Sequence, residues 1–451
     1  MHPWANDAQC YQIYPLGLCG APTGNDQASK PIARLNQLHA WIEHLQDLGI
    51  NLLYLGPVFE SSAHGYDTID YFTVDRRLGN NRDLQQLIAV LHAAGIRVLL
   101  DGVFNHVGRD FWAFRDLQIH GQASAYVDWF AGLDFNQRSP YGDQFSYQGW
   151  HGHYDLVKLN LFNPAVREHL FQAVSQWIEQ FGIDGLRLDA ADQIDHGFLA
   201  ELASHCKRLR NDFLLLGEVV HGDYRQWANP TMLDSVTNYE AYKGLYSSLN
   251  DRNYFEIAYS LNRQFGAGGI YRATPLYNFV DNHDVDRIAS SLHNPAHLYP
   301  LHLLLYTMPG MPSLYYGSEW GLLGQKTATS DQALRPALPQ PNQIQAQQPD
   351  LLPAIRQLSQ LRHEYAALRD GEYAQLYVQA EQLVFVRWTK QQTVVVALNA
   401  ASSTQTIQCV VPFGEGSLLE DRLNGGQIKV QHGQLQLNIP ATWGQIWQLT
   451  N

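Results

Sequence analysis

Cysteine, basic charge and long apolar runs are all scarce in this chain of 451 residues. Its four cysteines, Cys10, Cys19, Cys206 and Cys409, form no close pair and have no metal-ligand spacing. That pattern reads as free thiols of a reducing compartment rather than a disulfide framework. Lysine and arginine number 30 against 43 aspartates and glutamates, a net charge of −13, which argues against nucleic acid or an anionic membrane as partner. No uninterrupted apolar stretch approaches the ~20 residues of a membrane span. The opening Met-His-Pro-Trp-Ala-Asn-Asp has neither the basic nor the apolar region of a secretory leader. These absences lead to the expectation of a cytoplasmic protein that binds neither nucleic acid nor membrane.

Apolar residues make up 45% of the chain and charged residues 16%, enough for a sizeable core and against general disorder. Short strand-like runs alternate with helical stripes. Residues 10–16 read as a first strand. Leu38, Trp41, Ile42, Leu45 and Leu48 then recur at helical spacing up to Gly49, and residues 51–55 form a second strand stopped by Gly56-Pro57. A stripe of Leu84, Leu87, Ile88 and Leu91 closes at Gly95 before a third strand, 96–100, that runs into Asp101. Asn163-Pro164 reads as an N-cap with proline at the first helical position. Its helix carries Val166, Leu170, Val174, Trp177, Ile178 and Phe181 inward. Further strands are expected at 185–189, 213–216, 233–236, 276–280 and 313–316. Eight strands alternating with helices predict a parallel (β/α)₈ barrel.

Two stretches break the rhythm. The aromatic- and Gly-rich interval after His106 has no clear helical period and is too long for a βα loop, so it reads as a small inserted domain. Past Tyr365 the alternating runs 383–388, 393–398 and 406–411 predict an antiparallel β domain. The expected organisation is barrel over 1–106, insertion over 107–163, barrel again over 164–367 and a C-terminal β-sandwich over 368–451. The Gln/Pro-rich stretch 339–349 is expected to be a loop before the last barrel helix.

Barrel enzymes carry their reactive groups where strands end. Those ends offer Asp101 and His106, then Arg187 and Asp189, then Glu218, then His283 and Asp284. In Gly185-Leu-Arg-Leu-Asp189, period two puts Arg187 and Asp189 on one face and the leucines on the other. A guanidinium beside Asp189 should lower its pKa and keep it ionised as a nucleophile. Glu218 follows the apolar run 213–216, which suits a desolvated general acid. Converging carboxylates without metal-ligand spacing suit glycoside hydrolysis. The abundant aromatics, 11 Trp and 24 Tyr, would suit stacking on sugar rings.

Asp-Gly-Val-Phe-Asn-His at 101–106, Gly-Leu-Arg-Leu-Asp at 185–189, Gly-Glu-Val-Val at 217–220 and Phe-Val-Asp-Asn-His-Asp at 279–284 resemble, in order, the four signature regions of the α-amylase family, glycoside hydrolase family 13. The resemblance implies a retaining hydrolase that cleaves α-1,4-glucosidic bonds of an α-glucan oligosaccharide or cyclomaltodextrin by double displacement. Asp189 would be the nucleophile, Glu218 the acid/base and Asp284 the third carboxylate. Arg187 would hold Asp189, His106 and His283 would bind hydroxyls of the −1 glucose, and Tyr66, next to Asp67, would lie under that ring. Asp101 would support the site from beneath.

Val157-Lys-Leu-Asn160, His221 and Asn238-Tyr-Glu240 resemble the cyclomaltodextrinase, neopullulanase and maltogenic amylase group. That group usually carries an N-terminal β domain, which is not expected here. Ala190-Ala-Asp192 resembles plain α-amylases instead. An α-amylase, an α-glucosidase and a 4-α-glucanotransferase stay open as alternatives, and a non-catalytic barrel scaffold as a remote one. No cofactor is required. The resemblance leaves room for calcium at Asn105, with Asp110, Asp128 and Asp134 nearby. Trp129, Tyr147, Trp150 and His153 are candidate walls of the substrate groove.

Overall fold

The computed structural model describes residues 3–450. Eight parallel strands are built from the expected runs: β1 (Cys10–Ile13), β2 (Leu52–Leu55), β3 (Arg97–Gly102), β4 (Gly185–Leu188), β5 (Leu214–Gly217), β6 (Ser235–Val236), β7 (Tyr277–Phe279) and β8 (Met311–Tyr315). Their order is β6-β5-β4-β3-β2-β1-β8-β7, and a parallel bridge between Thr237 and Tyr277 closes the ring. Each strand pairs with its sequence neighbour, as βα units wound in one direction require.

Strand alternation sorts the barrel into layers. Cys10, Leu52, Tyr54, Leu99, Leu214, Leu216, Tyr277, Phe279 and Met311 pack together inside the ring. The intervening Leu53, Val98, Leu186, Leu188 and Leu215 join the surrounding core. Two residues along from this inner apolar set come Gln12, Asp101 and Glu218, so the polar layer sits directly on the apolar one.

The helices follow the predicted stripes with two local differences. Asn80 caps Asn81–Ala93 in a reciprocal box with Asp83, and Gly95 takes a left-handed φ of 80°. The segment before β2 is a 3₁₀ run, Arg34–Trp41, passing into a short α-helix, Ile42–Asp47. The helix capped by Asn163 spans Pro164–Gln176 and widens into a π turn over Trp177–Phe181. There Trp177 Nε1 donates to Tyr71 O. The extra residue per turn lets one face bury Trp177, Ile178 and Phe181 together.

The segment after β3 holds a three-stranded antiparallel sheet of His106–Gly108, Gly149–Trp150 and His153–Lys158. It also holds a helix, Trp112–His120, for which the sequence reading had no period. Its aromatic content hides the stripe, since only Ala113, Phe114 and Leu117 are buried.

At the C-terminus six antiparallel strands form one sheet and Gln405–Val410 pairs with Gln434–Ile439 in a second. Val384, Val386, Val395 and Ala397 face the second sheet. Leu383, Phe385, Val394, Val396 and Leu398 pack on the barrel's core instead. A sheet covered on both faces explains a nearly continuous apolar run.

Arg387 continues the barrel-facing side and is fully buried. Its guanidinium donates to Thr307 O at 2.6 Å, Leu368 O at 3.0 Å and Gly371 O at 2.8 Å. Neighbouring Arg362 donates to Tyr306 O, Leu368 O and Gly310 O. Burial pushes Arg387 down to about 9 and Arg362 down to about 10. Replacing Arg387 with Met removes the donors and leaves buried carbonyls unpaired. The expected loss is about 3 kcal/mol of unfolding free energy, read as a lowered denaturation midpoint. An unchanged midpoint would show that the joint does not depend on this clamp.

Candidate active site

The polar layer converges on Arg187, which is 3% exposed. Nη1 donates to Asp101 Oδ1 at 2.9 Å and to Asp189 Oδ1 at 3.0 Å, while Nη2 lies 2.9 Å from Glu218 Oε2. Tyr54 and Tyr66 hydroxyls donate to Asp101 Oδ2 at 2.7 and 3.0 Å. Ala190, just past the nucleophile candidate, has φ 44° and ψ 43°, a left-handed geometry unusual without glycine. It turns the Ala190 N–H onto Glu218 Oε2 at 3.0 Å. Gly217 precedes Glu218 where a Cβ would stand 2.4 Å from Leu233 Cδ1, so a side chain there would push the acid out of place.

Asp284 is held separately. Its Oδ2 is 3.0 Å from His283 Nε2 and its Oδ1 accepts from Arg335 Nη2 at 3.0 Å. Arg335 also pairs with Asp331 at 2.6 Å and lies over the Tyr14 ring.

These groups border a cavity of about 550 Å³. Of the expected site residues, Tyr66, His106, Asp189, Glu218 and Asp284 line it. Asp101, Arg187 and His283 form the layer beneath, each 2–3% exposed. His283 thus contacts Asp284 and Tyr66 rather than the cavity itself. Asp67 does not line the cavity: its Oδ1 accepts from the backbone N–H groups of His64 and Gly65, shaping the turn that presents Tyr66. Trp150 and His153 form one wall. Trp129 instead packs with Trp112, Tyr126 and His169, and Tyr147 bonds Arg109. His221 is exposed and away from the cavity lining, whereas Tyr239 lines it, with its hydroxyl 3.5 Å from Glu218 Oε1.

Sequence reasoning missed Arg335, Asp331 and Gln12. The first two lie in a polar stretch without period after β8, which gives no signal. Gln12 had one, since alternation puts it on the inner face with Cys10.

The electrostatics correct one expectation. Burial raises the Asp189 carboxyl well above the ordinary range; Arg187 opposes this, and the charges of Glu218, Asp101 and Asp284 reinforce it. One guanidinium does not offset burial and three acids. Burial also opposes ionisation of Asp284, but His283 and Arg335 beside it outweigh burial and hold its carboxyl below the ordinary range. Burial pushes His106 down to about 3, so its ring is neutral.

Calcium does not fit the residues present. Asn105 Oδ1 is buried without a partner. The neighbouring cavity is lined by Asn105, Tyr147, Gln148, Trp150, Lys158 and Gln193 among others, with no carboxylate. Asp110 bonds Gln27, Ser62 and Arg115, and Asp134 bonds Asn136 and Gln137. Among the described residues no group of three acidic, His or Cys side chains is placed to hold a metal, whereas calcium takes six or more oxygens.

Family models match most of the chain. The α-amylase catalytic domain matches residues 25–350 and the α-amylase C-terminal domain matches 371–447. Neopullulanase 2 of Thermoactinomyces vulgaris is 32% identical over 98% of this chain and 78% of its own. Cyclomaltodextrinase of Geobacillus thermopakistaniensis is 30% identical over 97% and 76%. The solved cyclic α-maltosyl-(1→6)-maltose hydrolase from Arthrobacter globiformis superposes with a TM-score of 0.83 at 26% identity, covering 100% of both chains. The chain therefore belongs to the α-amylase family of glycoside hydrolases, with relatives of the cyclomaltodextrinase and neopullulanase type.

The raised Asp189 has a consequence for pH. For Asp189 to serve as the attacking carboxylate that the sequence leads one to expect, it must be ionised, and that form is lost as pH falls through its pKa. The acid limb of kcat/KM is therefore expected above the ordinary carboxyl value of 3.8, falling about tenfold per pH unit below it. A rate profile still flat at pH 4 would contradict that assignment.

Proposed function

We propose that the protein hydrolyses α-1,4-glucosidic bonds of maltooligosaccharides and cyclomaltodextrins with retention, through a covalent glycosyl-enzyme. The carrying observation is that Asp189 and Glu218 share the two nitrogens of one guanidinium. That arrangement supports the short separation of retaining glycosidases, about 5–5.5 Å, over the wider gap of about 6.5–9.5 Å that an inverting enzyme leaves for water.

In this reading Asp189 attacks the anomeric carbon while Glu218 gives a proton to the leaving oxygen. The reaction needs Glu218 protonated and Asp189 ionised when the bond breaks. Substrate entering the cavity displaces water, and the proton is delivered from Glu218 while Asp189 is ionised. Water then attacks the glycosyl-enzyme, with Glu218 taking its proton back. Asp284, kept ionised by Arg335 and His283, binds hydroxyls of the sugar as positive charge develops on the ring. Tyr66 offers an aromatic face and His106 a neutral imidazole to the same sugar. The four buried thiols support action in a reducing compartment.

The test is a product profile on β-cyclodextrin, soluble starch, maltotriose, pullulan and maltose, with the anomer of the first product read by NMR. Rapid attack on β-cyclodextrin and maltotriose with α-anomer released is the expected result. Starch preferred with cyclodextrin untouched would move the assignment to an α-amylase, and a β-anomer would remove the retaining mechanism. Asp189→Asn should lower kcat by roughly 10⁴-fold or more. No turnover of any α-glucan by the unaltered protein would favour a non-catalytic scaffold.

A further inference from the structure

The inward face of β1 carries one polar side chain that none of the roles above uses. Gln12 is 2% exposed, and its Nε2 lies 2.8 Å from His283 Nδ1. His283, also 2% exposed, is stacked against Tyr66 at 5.3 Å and against Tyr14 at 5.9 Å between ring centroids. Its other nitrogen, Nε2, faces Asp284 Oδ2 at 3.0 Å and the Tyr66 hydroxyl.

Counting hydrogens bears on which nitrogen carries the proton. Asp284 Oδ1 is ion-paired with Arg335 Nη2 at 3.0 Å, and a carboxylate so paired can only accept, so the hydrogen between it and His283 belongs to Nε2. Tyr66 has one hydroxyl hydrogen and directs it to Asp101 Oδ2 at 3.0 Å, leaving its oxygen to face Nε2 as an acceptor. Nδ1 is then free to be bare, and an amide N–H aimed at it needs a bare nitrogen. The opposite amide orientation would demand a proton on Nδ1 as well, and hence a buried imidazolium. Arg335 already donates to the His283 carbonyl at 3.0 Å and to Asp284 Oδ1. A second cation there would face a like charge in a desolvated place.

We propose that Gln12 is a positioning residue that holds His283 as its Nε2–H tautomer. Acting through His283, it keeps Asp284 hydrogen-bonded without neutralising it a second time. Asp284 then retains the negative charge that the developing positive sugar requires. The inference rests on the role proposed for Asp284, but its physical core, the tautomer, stands apart from any activity.

Neutron diffraction from deuterium-exchanged crystals of the full chain reads the tautomer directly. Deuterium on His283 Nε2, none on Nδ1 and the Gln12 nitrogen turned to the ring is the expected result. Deuterium on Nδ1 would overturn the proposal. In solution, Gln12→Leu should lower kcat roughly tenfold with KM within about twofold. Gln12→Glu, nearly the same size but presenting an acceptor, should lose at least as much and guards against a packing defect in the leucine variant. Wild-type kcat in a folded Gln12→Glu protein would also overturn it. Failure to cleave any α-glucan would instead remove the functional reading and leave the neutron result intact.

Discussion

Arg187 lies beneath the cavity floor with Asp101, Asp189 and Glu218 around it, and the positions of all three acids depend on its charge. Water cannot compensate these groups, because the guanidinium and Asp101 are almost wholly buried. One cation among three carboxylates leaves negative charge in excess, and burial together with that excess raises the Asp189 carboxyl. Asp284 escapes it through a separate cation, Arg335, and stays ionised. Two guanidiniums thus divide the acids, three around Arg187 and Asp284 beside Arg335.

The barrel produces this division by simple means. Period-two alternation stacks Gln12, Asp101, Arg187 and Glu218 over apolar residues from the same strand faces, so the polar layer is shielded from below and open above. A buried ion cluster in a packed core would cost several kcal/mol for each unpaired charge. At the open end of the barrel, the ions that reach the cavity stay partly hydrated until a substrate arrives. The left-handed Ala190 and the side-chain-free Gly217 are local costs accepted at that rim to set Glu218 beside Arg187.

The eight strands, the capping Asn80 and Asn163, and the inward face of 185–189 were legible because each follows a short-range rule of period or capping. The convergence of Asp189, Glu218 and Asp284 was legible once the strand ends were aligned on a barrel. The raised pKa of Asp189 was not, since it sums burial with charges from three other strands that no local pattern records. The helix Trp112–His120 was hidden because aromatic residues occupy both its buried and its exposed faces. Arg335 lay in a polar stretch whose only structure comes from what it binds. Gln12 was visible on the correct face, but its meaning depends on a histidine 271 positions away.

The cavity's two walls differ in how they connect to the chemistry. Trp150, from the inserted sheet, stacks on His153 and touches the His106 ring, and neither Trp150 nor His153 bonds the carboxylates. Arg335, from the segment after β8, contacts Asp331 on the wall, Tyr14 on the barrel rim and Asp284 in the site. A change of reach made through the insertion leaves the charge balance alone. One made through residues 331–335 alters the cation that keeps Asp284 ionised. A substitution at Trp150 or His153 therefore leaves the pairing of Asp284 in place, whereas one at Asp331 or Arg335 reaches it directly.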